Sequence, residues 1–491
     1  AGVNRETINN ETFGAFRRYF LSTTVDQMFA GGREELNNSG SAWERARLNY
    51  FGRVGYNYKQ KYLAEFLWRY DGSYMFPSEN RYGFFPGFML GWRISEENFW
   101  KENVSVVNFL KLRASWGQMG NDNVYYDDVL QEYQYFATYG LGSYVAGGAV
   151  NQTLFESRVP NPLITWEVAN NYNIGLDGQM FEGAINFEFD VFLNKRSNIL
   201  WRRNASIPQS AGMTLPAENI GEIENRGFDF NIGHSGKAGE VTYNVNVNGG
   251  YAKNKIIFWD EAPGAPEWQR TTGRTINSGL YYIYDGVFVD EEDIASNTLD
   301  YSDITNTIRP GDMKYQDYDG DGSITPDDRV RRDKNTTPTF QGGLNFGAQY
   351  KGFDLSVLFQ GAAGGEIRVG TDEAGSIGNY LEEHYDNRWT VENPSSVHPR
   401  ITDRGDQYYS YNNTYWLQST DYIRLKNVEL GYTLPVEIGE KIGMSSLRVY
   451  TSGFNLITWS GMTAYDPEVT NSIGHYYPQS RILNLGVAVT F

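Results

Sequence analysis

The sharpest chemistry in the chain lies in DYDGDGSITPDD, running from Asp317 to Asp328. Asp317, Asp319 and Asp321 alternate and Gly322 follows, which is the opening of a calcium-type loop. Ser323 would offer its backbone carbonyl at the seventh position, and Asp328 stands at the twelfth. Three carboxylates this close repel one another unless a hard cation neutralises them, and calcium suits their number better than magnesium. Aspartate at the twelfth position has a shorter reach than the glutamate of helix–loop–helix sites. The flanks RPGDMKY and RVRRD do not read as paired helices. The expectation is one calcium ion shaping a loop, with no part in catalysis.

A second class of candidate is aromatic. Trp259, Trp268, Tyr281 and Tyr282 fall in one long segment, and Tyr408, Tyr409, Tyr415 and Trp416 in another. Flat rings stack on sugars, and neighbouring Asn, Gln and Asp can hydrogen-bond their hydroxyls. Covalent chemistry finds little support. His234, His384, His398 and His475 are dispersed, there is no cysteine, and neither a nucleophile elbow nor a phosphate loop is present. Glu382–Glu383 and Asp290–Asp293 could supply paired carboxylates, but 60 acidic residues make such neighbours expected by chance. The chain reads as a non-enzyme. A formal charge of −18 argues against a nucleic-acid partner.

The elements that position these residues are strands. The last stretch, ILNLGVAVTF, puts Leu483, Leu485, Val487, Val489 and Phe491 on one face and Asn484, Gly486, Ala488 and Thr490 on the other. A greasy strand ending on Phe suits the assembly signal of an outer-membrane barrel. Tyr62, Ala64, Phe66, Trp68 and Tyr70 likewise oppose Glu65, Arg69 and Asp71, and Val241–Tyr251 alternates against Thr242, Asn244, Asn246 and Asn248. Hairpins are expected at about 165–193, 227–253, 342–361 and 422–457, with strands near 48–59, 62–70, 85–94 and 108–117. A weak first strand near Thr12–Phe20 and the terminal one bring the count to about fourteen.

Short turns follow every second strand, and long segments (118–164, 194–226, 254–341, 362–421 and 458–478) lie between. That alternation is the pattern of an all-β, antiparallel transmembrane barrel with short periplasmic turns and long extracellular loops. No apolar run nears the roughly 18 residues of a membrane helix. Mean hydropathy is −0.53 and aromatic content 15%, which suits a wall in which only alternate residues meet lipid. AGVNRETINN has neither the basic nor the apolar region of a secretion signal, so such a signal is expected upstream or already removed.

Several segments resemble the SusC/RagA-type TonB-linked outer-membrane transporters: YLAEFLWRYDGSYMF (62–76), FFPGFMLGWRISEENFW (84–100), FLKLRASWGQMGND (109–122), NPLITWEVANNYNIGLDG (161–178), ENIGEIENRGFDFNIG (218–233), RPGDMKYQDYDGDGSITPDDRV (309–330), DYIRLKNVELGYTLP (421–435), LRVYTSGFNLITW (447–459) and the terminal strand. The resemblance implies residence in the bacterial outer membrane. It also implies TonB-dependent uptake of a bulky nutrient, an oligosaccharide above all, with peptides as the alternative. A SusD-like surface lipoprotein would cap the barrel, and a TonB–ExbB–ExbD complex would energise it. The family's plug and N-terminal domains have no counterpart within 1–491. Its barrels have about 22 strands, so the chain is expected to be the C-terminal portion of such a barrel, with 254–341 as the long external loop bearing the calcium motif. A complete, passive fourteen-stranded porin, and a surface adhesin or glycosidase, remain as other readings.

Overall fold

The structure, a computed structural model, describes residues 1–491 except 21, 23, 124, 127–128, 131, 204–215, 371–380, 402–411, 438–442, 471–475 and 478. Fourteen strands form one antiparallel sheet in which every neighbour in space is also the next strand of the wall in sequence. They are β1 (Gly2–Phe16), β2 (Asn37–Tyr58), β3 (Tyr62–Ser73), β4 (Tyr82–Arg93), β5 (Val107–Asn121), β6 (Glu167–Met180), β7 (Ile185–Arg202), β8 (Ala217–Ala238), β9 (Val241–Phe258), β10 (Phe340–Tyr350), β11 (Phe353–Ala363), β12 (Tyr422–Thr433), β13 (Ser446–Ser460) and β14 (Ile482–Thr490). The sheet ends at β1 on one side and β14 on the other, and among the described residues no pairing joins the two.

Register shows why the alternation matters. One row of cross-strand partners runs Tyr56, Ala64, Leu90, Ala114, Ile174, Val191, Phe228, Tyr251 and Phe340 across nine strands. A second runs Val247, Leu344, Phe359, Leu425 and Ile457, and Val449 faces Val487 at the end of the wall. Val54 is 64% exposed, Leu90 61% and Ile174 60%. An apolar face this extensive cannot stand in water but suits lipid. Phe66 packs on Phe88 at 4.8 Å, and Phe88 stacks on Trp116 at 5.9 Å, so aromatic pairs stiffen the same face.

The opposite face is polar and largely self-paired. Arg113 bridges Asp177 of the next strand at 2.6 Å and Asp190 of the strand beyond it at 2.9 Å. Arg448 holds both Asp354 and Glu429, Arg53 meets Glu65, and Asn246 donates to Asn231 at 2.8 Å.

Turns obey local chemistry. Lys351 and Gly352 both have positive φ (47° and 87°), the two-residue hairpin geometry that matches strand twist. Phe181, Glu182 and Gly183 turn the β6–β7 hairpin, inside the expected 165–193. Some boundaries differ from the sequence-based expectation. The first strand is Gly2–Phe16 rather than Thr12–Phe20. The β8–β9 turn falls at 239–240, inside the expected 227–253 hairpin. Strands β7 and β8 run into the expected 194–226 loop and leave 203–216 between them. Strand hydrogen bonding outlasts the alternation there, because a strand wet on both faces has no apolar period. The rule of short turns is also looser: 74–81 is short on the loop side, and 94–106 carries the helix Asn98–Asn103 on the turn side.

Candidate functional site

On the long-loop side 259–339 and the described residues of 364–421 fold together. Two small ladders organise the first: Leu280–Tyr281 pairs with Val330–Arg331, and Tyr284–Val287 with Met313–Tyr315. Glu366–Arg368 pairs with Leu417–Ser419 in the second, and a parallel bridge from Tyr282 to Asn413 joins the two segments. Tyr282, Phe288, Tyr301, Ile304, Met313, Tyr315, Ile324 and Trp416 form a buried core between them. Burial drives up the proton affinity of the Tyr315 hydroxyl, and that of Tyr301 to about 12. A connection this long needs such a core to hold one shape.

The acidic loop stands on that core. Ile324 is fully buried, and its N–H donates to the Asp300 carbonyl at 2.7 Å, while Asp300 N–H donates to the Gly322 carbonyl at 2.9 Å. Gly322 has φ +88°, a conformation that any side chain would strain. Carboxylate oxygens of Asp317, Asp319 and Asp321 converge within 4.8 Å of one another. Asp317 accepts from the N–H groups of Gly320 at 2.7 Å and Gly322 at 2.9 Å, and the Gly322 bond leads the forces that hold its proton affinity below the ordinary carboxylate value. Asp319 behaves oppositely. The Asp321 N–H favours its charged form, yet desolvation and then the carboxylates of Asp328, Asp321 and Asp317 raise its proton affinity.

That frustration is what a divalent cation would relieve, so the residues fit a hard ion. Ser323 is placed by its N–H bond to Asp321 at 2.7 Å. Asp328 is not one of the convergent trio. Its fully buried carboxylate accepts from the N–H groups of Tyr318 and Thr325, both at 2.7 Å, and closes a capping box with Thr325.

The aromatic candidates separate. Tyr282 is 2% exposed and stacks on Tyr315 at 5.0 Å, and Trp416 is 7% exposed. Both are core residues, and their burial withdraws them from any ligand. Trp268 donates to the Asp327 carbonyl at 2.8 Å and packs on Tyr318, so it braces the acidic loop. Trp259 packs on Trp201 at 4.3 Å, and Tyr415 lies half-buried against Tyr284 and His398. Tyr281 lines a cavity shared with Lys334 and Arg368. Tyr408 and Tyr409 lie outside the described residues.

Sequence reasoning missed Asn413, fully buried, whose Nδ2 donates to the Tyr315 hydroxyl at 3.3 Å and whose Oδ1 accepts from Tyr415 N–H at 3.1 Å. It also missed Arg424, fully buried, which binds Thr458, Asp466 and Glu468 and so ties the 461–481 segment to the wall. A lone Arg within a strand pattern carries no signal for a partner some 40 residues away.

No protein-family model matches the chain. Two TonB-dependent receptors of Formosa agariphila are 29% and 30% identical to it, each over 100% of this chain and 50% of the relative. The TonB-dependent receptor SusC of Bacteroides thetaiotaomicron is 26% identical over 90% of this chain and 44% of its own length. The chain thus spans about half the length of the curated relatives it matches. Among solved structures, the RagAB peptide importer in its 'open-open' state superposes over 100% of this chain and 52% of its own, with TM-score 0.75 and 22% identity, a likeness of fold.

Proposed function

We propose, from its match to TonB-dependent receptors, SusC among them, that the chain is the substrate-facing barrel part of a TonB-driven importer of oligosaccharides. The observation that carries this reading is the fourteen-stranded wall, apolar outside and ion-paired inside, matched from end to end by receptors of that kind. The loop unit above it, with its polar cavity, supplies a surface where a nutrient is caught before entry. A SusD-like surface lipoprotein closes over that surface, and a TonB–ExbB–ExbD complex energises release inward. The chain itself makes and breaks no covalent bond in this scheme.

Calcium belongs to the same proposal. Asp317, Asp319, Asp321 and the Ser323 carbonyl would hold one ion, with Asp328 shaping the loop beneath them. Bound there, the ion neutralises the carboxylates and fixes the loop face offered to the cap or the nutrient.

The import reading is tested by deleting the gene and measuring uptake of fluorescent oligosaccharides and of peptides of matching size. Oligosaccharide uptake that disappears, returns with the full-length gene and needs a working TonB is the expected result. Peptide uptake alone following that pattern would replace the glycan with a peptide. Uptake that persists without TonB would make the protein a passive pore.

A further inference from the structure

The cavity beside Tyr281 has a charge that runs against the rest of the molecule. Its volume is about 380 Å³, and three loops wall it: Tyr281 and Lys334 from 259–339, Arg368 from 364–421, and Thr470 from 461–481. Its one lining acid among the described residues, Glu366, is already clasped by Arg332 through bonds of 3.1 and 2.8 Å. That leaves Arg368 and Lys334 as the cationic residues lining the cavity in a protein of net charge −18.

The Arg368 Nε is buried and has no hydrogen-bond partner among the described residues. That nitrogen is closed to solvent, so an anion in the cavity would be met through the guanidinium's other nitrogens. The fork of Arg matches a carboxylate or sulfate, and an ammonium such as Lys334 adds a mobile second contact.

The remaining lining is uncharged. Asn277, Asn335, Thr336 and Thr337 offer amides and hydroxyls, and the Tyr281 ring provides a flat apolar wall. A Cβ on Gly279 would come within 2.5 Å of that ring, so glycine is what lets the tyrosine lie where it does. With Glu366 committed, no free carboxylate among these residues would receive a peptide's amino group. Hydroxyl partners, a ring face and two cations together describe a sugar carrying an acid.

We propose that this cavity is a subsite for the acidic group of an oligosaccharide, a carboxylate or a sulfate, gripped by Arg368 and Lys334. The proposal rests on the import reading and names its substrate class. Arg424 serves it indirectly, since its grip on Asp466 and Glu468 fixes the loop that brings Thr470 to the cavity.

The test is equilibrium binding to the purified full-length protein in detergent. The probes are tetragalacturonate, a sulfated galactan tetrasaccharide, neutral maltotetraose and tetraglutamate. Wild type should bind one of the two acidic saccharides at least about tenfold more tightly than maltotetraose, a gap of about 1.4 kcal/mol. Which of the two it prefers separates carboxylate from sulfate. Arg368→Gln and Lys334→Gln should each erase most of that preference, whereas Arg368→Lys should keep part of it. Heat-shifted gel mobility checks the fold. Should Arg368→Gln fail to assemble, the exposed Lys334 still gives a readable variant.

Binding of neither acidic saccharide, or preference unchanged in the Gln variants, would overturn the subsite. Tetraglutamate bound as tightly as the acidic saccharides would overturn its assignment to sugars. Because binding needs no TonB, these failures are distinct from a failure of import, which shows only as loss of energised uptake.

Discussion

The wall and the loop unit spend aromatic residues in opposite ways. In the wall, Phe66, Phe88 and Trp116 line the outward, lipid-suited face, and charged pairs such as Arg113 with Asp177 fill the other. In the loop unit, Phe288 and Tyr315 are 0% and 1% exposed, and the carboxylates of Asp319 and Asp321 lie outermost. One region is turned inside out relative to the other because their solvents differ. The lesson is that an aromatic cluster has no meaning until its surroundings are known: lipid contact, core or ligand platform can use the same residues.

The comparison breaks most sharply at the loop core. Phe288→Ala should cost the loop unit about 3–5 kcal/mol, the usual range for an emptied aromatic site. Limited proteolysis should then cut within 259–339, while the heat-shifted mobility of the barrel stays as it was. The converse experiment is Val245→Arg. Val245 lies on the lipid face opposite Phe346, whereas Asn246 lies opposite Asn345 on the polar face. Arg at Val245 should cost about 2–4 kcal/mol near the bilayer midplane and lower the assembled fraction. Asn246→Arg should assemble normally, and equal tolerance of both would mean the faces are reversed.

Smaller effects sharpen the contrast. Replacing both Asp319 and Asp321 with Asn should abolish calcium-dependent protection of the 310–330 region from protease and leave the barrel intact. Metal analysis of the wild type in calcium-containing buffer should find one ion that the variant lacks. The smallest effect concerns His384, whose ring packs near Trp416 at 5.0 Å. Burial, more than the opposing charge of Glu383, holds its proton affinity below the ordinary value of 6.5. The folded loop therefore binds fewer protons than the unfolded one. Its contribution is full above the unfolded value of about 6.5 and falls as pH drops below it. Protease sensitivity of the 364–421 segment should rise between pH 7.5 and pH 5, and His384→Gln should flatten that rise.

Most of the wall was legible because lipid on one side and water on the other impose a period of two. Val241, Tyr243, Val245 and Val247 could be placed on one face from spacing alone, and the structure keeps them there against Ala348, Phe346 and Leu344. The count of about fourteen strands matches the sheet for the same reason. Legibility ended where the period did, at the wet ends of β7 and β8 and in the loops. Tyr282 and Trp416 looked like ring platforms because irregular segments carry no pattern that separates a core tyrosine from a displayed one. The acidic trio was legible because its chemistry is local, whereas Arg368 and Lys334 meet only through folding.

The long loops and the short turns should lie on opposite sides of an outer membrane. The chain contains no cysteine, so single cysteines can be introduced without background. Leu163 and Val391, 80% and 76% exposed, mark the loop side, and Glu240 marks the β8–β9 turn. A membrane-impermeant maleimide should label Leu163→Cys and Val391→Cys on intact cells, and Glu240→Cys only after the outer membrane is permeabilised. Labelling of Glu240→Cys on intact cells, with both loop cysteines silent until permeabilisation, would mean the opposite orientation.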